Sequence, residues 1–172
     1  MSDGLSFTDI LALAENESGA FGLADEGLIA RASGMVDWIN ERGPYTPDQL
    51  WAMRVQVQRV LTTRLKLKLD RKLFPAIAEE TIDRPIFVIG FPRSGTTLLH
   101  SLIAEDPEAL SLRSWHLYSP SPPPGAGPVV SERIAYAQRR VEEWMDFCPG
   151  QKPMHPYIDK GCLLYTSDAA DE

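Results

Sequence analysis

Six consecutive residues, Pro92, Arg93, Ser94, Gly95, Thr96 and Thr97, place a guanidinium, three hydroxyls and a glycine in one short stretch of chain. Those groups suit the binding of an oxyanion of the phosphate or sulfate kind. Gly90 and Gly95 are separated by four residues, the spacing at which successive backbone N–H groups turn into one concavity at a helix N-terminus. Gly90 tolerates positive φ where the chain reverses, and Gly95 lets backbone approach an oxygen with no Cβ in the way. Arg93 offers a planar fork that matches a pair of anion oxygens. The hydroxyls of Ser94, Thr96 and Thr97 add donors. Arg93 is therefore the cationic candidate for stabilising charge in a group transfer; the competing reading is a surface arginine in a structural turn.

A loop of this kind needs an element on each side. Ile86, Phe87, Val88 and Ile89, bounded by Pro85 and Gly90, read as a short strand buried on both faces. Beyond the loop, Thr96 to Leu99 with Leu102 and Ile103 open an apolar-periodic helix that should end near Asp106 and Pro107, because the residue before proline is pushed out of the α region. The predicted order is strand, loop, helix.

At these residues the chain resembles the sulfotransferases that use 3′-phosphoadenosine 5′-phosphosulfate, whose phosphosulfate loop follows the first strand and reads Pro-Lys/Arg-Ser-Gly-Thr-Thr. Pro92 to Thr97 match it without a gap, and the arginine form followed by Leu98, Leu99 and His100 is similar to the bacterial-type branch. More weakly, the resemblance extends from about Leu28 to Lys160. It implies an α/β, phosphate-loop-type three-layer fold, here truncated so that mainly helices and one central parallel strand are present. It further implies that the remaining strands, and the Arg and Ser that grip the 3′-phosphate, lie beyond this sequence. The phosphosulfate nucleotide would be the co-substrate, held by Pro92, Arg93, Ser94, Gly95, Thr96 and Thr97 with no metal. A sulfuryl group would pass to a hydroxyl or amine of a small-molecule or glycan acceptor.

Two other readings stay open. A kinase-like phosphate-loop NTPase is disfavoured by Thr96, which stands where such a loop carries Lys, and by the lack of a metal-binding carboxylate at the end of a second strand. A non-catalytic helical interaction module with a vestigial loop is the third.

A transferase of this kind needs a base for the acceptor proton, and three histidines compete. His116 follows Trp115 where related sulfotransferases carry a Glu thought to act as the base; an imidazole can serve there, and a structural histidine fits the position as well. His100, on the helix after the loop, reads as packed or solvated. His155, in Lys-Pro-Met-His-Pro, is placed near an acceptor pocket and ranks behind His116. Cys148 and Cys162 are too few for a disulfide framework and share no metal-ligand spacing with a histidine.

The rest of the chain supplies helices. Ser6 with Asp9 opens a short one; Leu28, Ala32, Met35, Val36 and Ile39 recur at helical spacing from about Ala24 to Glu41. Thr46, Pro47, Asp48 and Gln49 form a helix start with a capping box, and the helix should run to about Lys72. Its face holds Leu50, Met53, Val57, Leu61 and Leu65, while Arg64, Lys66, Lys68, Arg71 and Lys72 gather toward its C-terminal end. Those cations read as dipole complements on a solvated face ahead of an anion-binding surface. Ser119 to Pro128 is a stiff proline-rich loop, either the wall of a cleft or a plain connector. Val130 to Phe147 is helical, with Ile134, Ala137, Val141 and Trp144 on its core face.

The 172 residues are 44% hydrophobic with a net charge of −7, globular composition without the basic footprint that a nucleic-acid partner rewards. No apolar run reaches bilayer length and no basic-then-apolar leader opens the chain, so a cytoplasmic protein with no membrane span is expected. The expected organisation is a helical region at 1–83, the N-terminal part of a sulfotransferase domain at 84–161, and a tail at 162–172. That tail, Cys162 to Glu172, has no cap, stop or periodicity, and it resembles one reading frame of a transposase-end adaptor used in DNA sequencing.

Overall fold

Local capping chemistry starts the first three helices. The computed structural model describes residues 4–91, 94–112, 114–123, 126–127 and 130–151. Ser6 accepts a hydrogen bond from the Asp9 N–H and opens α1, Phe7–Ser18; Gly19, at φ 68°, closes it in the left-handed conformation that glycine adopts without a Cβ penalty. Asp25 accepts from the Leu28 N–H at 2.7 Å at the head of α2, Glu26–Glu41. The box at Thr46 forms in full: Thr46 Oγ1 accepts from the Gln49 N–H at 3.3 Å, Gln49 Oε1 accepts from the Thr46 N–H at 2.9 Å, and Pro47 begins α3, Pro47–Leu73.

The chain divides into two units, Met1–Glu80 and Thr81–Glu172. In the first, Ile10 and Ala14 of α1, Leu28, Val36 and Ile39 of α2, and Val57, Leu61 and Leu65 of α3 bury one continuous apolar core. Each fully buried Leu or Ile there contributes about 1.5–3 kcal/mol. Most of this core lies on the stripes predicted from periodicity; Met35 turns outward instead. Glu17 ties α1 to α3 by accepting from Gln58 Nε2 at 3.1 Å and Thr62 Oγ1 at 3.2 Å. Asn40 clamps the chain entering α1: its Oδ1 accepts from the Leu5 N–H at 2.7 Å and its Nδ2 donates to the Leu5 carbonyl at 2.9 Å. Lys68, one of the α3 cations, pairs with Asp25. That ammonium and the Leu28 N–H hold the Asp25 carboxyl below the usual carboxylate range.

The second unit carries α4, Thr96–Ile103, α5, Ser114–Tyr118, and α6, Val130–Phe147. Trp115 of α5, 4% exposed, packs against Ala137, Val141 and Met145 of α6, with Tyr118 and Ile134 at the edge. The core face of α6 follows the predicted stripe at Ile134, Ala137 and Val141 and departs from it at the end: Met145 is buried, while Trp144 is 36% exposed.

The expected three-layer α/β fold with one central parallel strand is not what forms. Among the described residues there is no strand and no sheet; Ile86 to Ile89 are irregular, with Phe87 78% and Ile89 90% exposed, and the fold is helical. The reason is physical. A strand is held by hydrogen bonds to a neighbouring backbone, and no second strand among the described residues supplies them. No helix among the described residues is long and apolar enough to cross a membrane.

Candidate functional site

The loop is held by close backbone approach. The Ser94 N–H donates to the Phe91 carbonyl at 3.1 Å. A Cβ on Gly90 would lie 2.5 Å from Ser94 Oγ and 2.8 Å from Thr96 Cγ2, so a larger residue there would have to push those two side chains aside. Gly95, at φ 88°, is the N-cap of α4, and its carbonyl accepts from the Leu99 N–H at 3.0 Å. Among the described residues no side chain caps this terminus. The first-turn N–H groups therefore face outward at the positive end of the helix dipole, where an anion is stabilised.

Pro92 and Arg93 lie outside the described residues, as do His155 and the segment from Cys162 to Glu172. Ser94, Gly95, Thr96 and Thr97 are brought together by the turn into α4. Thr97 also accepts at its carbonyl from Ser101 Oγ at 2.8 Å. One turn further along, His100 Nε2 lies 3.2 Å from Ser111 Oγ, a hydrogen bond that ties α4 to the chain returning from its C-terminus. That return is built from tight turns: the Asp106 carbonyl accepts from the Ala109 N–H at 3.0 Å and Asp106 Oδ1 from the Glu108 N–H at 2.9 Å. Among the described residues of the second unit, neither α5, which carries His116, nor α6 packs against α4.

His116 instead belongs to a cluster around Trp115, whose ring centroid is 3.7 Å from the imidazole at an interplanar angle of 34°. The guanidinium carbon of Arg133 lies 4.9 Å from the Trp115 ring, and Arg133 is 8% exposed. Arg133 lies outside the four residues that periodicity assigns to the core face of α6. The signal that would have found it is its spacing of four and eight residues before Ala137 and Val141, along the buried stripe. Among the described residues no group of three or more His, Cys, Asp or Glu side chains could hold a metal ion.

No curated protein and no solved structure is significantly similar to the chain. Residues 85–162, which take in the loop, α4, α5 and α6, match the model of the sulfotransferase family.

Proposed function

We propose that the protein transfers a sulfuryl group from 3′-phosphoadenosine 5′-phosphosulfate to a hydroxyl or amine of a small-molecule or glycan acceptor. The observation that carries this reading is the uncapped N-terminus of α4 behind two glycines, one closely overlain by the Ser94 and Thr96 side chains and one left-handed, inside the stretch that matches the family. The residues present fit the phosphosulfate: first-turn N–H groups and the hydroxyls of Ser94, Thr96 and Thr97 donate to its oxygens, and Arg93 adds a forked cation.

In the proposed step the acceptor oxygen or nitrogen forms a bond to sulfur as the bond from sulfur to the bridging phosphate oxygen breaks. A base takes the acceptor proton, the role proposed for His116, whose helix α5 does not pack against α4 in this structure, and adenosine 3′,5′-bisphosphate leaves. Charge building on the transferred group and on the leaving phosphate is stabilised by Arg93 and the α4 N–H groups. We also propose that Cys162 to Glu172 is a foreign tail, a reading supported by its lack of any cap, stop or periodicity; resequencing the coding DNA from an unamplified template checks it.

Titration calorimetry tests the donor. Adenosine 3′,5′-bisphosphate is expected to bind more tightly than ATP with magnesium, and Arg93→Ala to weaken that binding about tenfold, the equivalent of one charge-assisted hydrogen bond. Equal or tighter binding of ATP with magnesium would favour the NTPase and overturn the proposal.

A further inference from the structure

Arg133 is a charged side chain buried in a helix whose other charged residues are exposed or half-exposed. Burial of a guanidinium is costly unless hydrogen bonds and contacts replace its water. Here Nε and Nη2 both donate to the carbonyl of Ser119, Nε at 3.2 Å, the residue that follows α5. The Ser119 N–H in turn donates to the Trp115 carbonyl at 2.9 Å, which makes Ser119 part of the last turn of α5. A cation on the carbonyl end of a helix satisfies an orphan acceptor and complements the dipole. The same guanidinium stands against the Trp115 ring, adding a cation–π contact away from water. Arg133 thereby grips the five-residue α5 at both ends, and His116 lies between the gripped residues, its ring against that of Trp115.

We propose that Arg133 is a positioning residue that fixes the orientation of the His116 imidazole through Trp115 and Ser119. Lysine would reach the same depth as a point charge and lacks both the fork and the flat face that the two contacts use. The catalytic consequence rests on the reading of His116 as the base; the structural inference does not.

Proton NMR of the full chain separates the two. His100, His116 and His155 are its three histidines, and His116→Gln assigns the signal of interest. In the wild type the His116 ring protons should be displaced by the Trp115 ring current. In Arg133→Lys and Arg133→Gln they should move toward free-histidine positions while the helical circular dichroism is retained. An unchanged His116 signal in a folded variant overturns the proposal, as does loss of folding in both variants, which would make Arg133 a framework residue. In turnover, Arg133→Lys should lower kcat at least about tenfold with the nucleotide KM unchanged, because misplacing a reacting group by an ångström costs up to ~10²-fold. A wild type that binds no phosphosulfate nucleotide counts against the sulfotransferase reading and leaves the spectroscopic result to stand by itself.

Discussion

Asp25 shows how one side chain performs two separable tasks. As N-cap of α2 it accepts from the Leu28 N–H, and as an anion it pairs with Lys68 of α3. Its carboxyl is held low by the Lys68 ammonium first and the Leu28 N–H second. A carboxyl lowered in the folded state contributes stability above its unfolded pKa and loses it as pH falls through the folded value. Asp25→Asn keeps a good cap and removes the charge. It should therefore melt below the wild type at neutral pH and low salt, with the gap closing in strong acid and narrowing in high salt. A gap that persists in acid would assign the loss to the cap. At the candidate site, the residue types of the loop were legible because anion chemistry restricts them to glycine, hydroxyl and guanidinium. Arg133 was not, since an arginine on a helix is normally solvated and its burial depends on Trp115, eighteen residues away.

Elements written in local code were read directly. The starts of α1 and α3 follow from side chains within three residues of the cap, and these contacts form whatever the helix later packs against. Thr46→Ala removes the acceptor for the Gln49 N–H and keeps only the other half of the box, from the Thr46 N–H to Gln49 Oε1. It should lower the unfolding free energy by about 1 kcal/mol, read from the urea midpoint at unchanged slope; an unmoved midpoint would mean that tertiary packing alone holds this end of α3. The run from Ile86 to Ile89 was misread for the opposite reason. Its composition is that of a strand, but ladder bonds come from distant chain, and composition cannot supply them. The exchange of Met145 for Trp144 at the end of the α6 stripe has a similar origin. Periodicity places Trp144 and Met145 within one step of each other, and the bulk of Trp115 favours the adaptable methionine beside it.

At the scale of the whole molecule, apolar surface is unevenly placed. Phe87, Ile89, Phe91, Leu98, Leu102 and Leu110, all between Thr81 and Leu112, are exposed, and α4 has no buried residue. Contiguous chain of this character associates in water. The 172-residue chain should accordingly scatter light as a concentration-dependent assembly and enhance the fluorescence of an apolar dye while its circular dichroism stays strongly helical. A dye-silent monomer at high concentration would show that this surface is covered in solution. The N-terminal residues present a different liability. Leu5 is held by a side-chain amide that reproduces one rung of a strand, taking the N–H and giving to the carbonyl, and Gly4 sits so close that a Cβ would meet Asn40 Oδ1 at 2.8 Å. An asparagine amide hydrolyses with age, and the resulting carboxylate can still accept from Leu5 but has no proton to give and turns a negative charge toward the carbonyl. Limited proteolysis of Asn40→Asp should nick ahead of α1 sooner than in the wild type, so the presence of one amide proton decides whether the start of the chain stays docked.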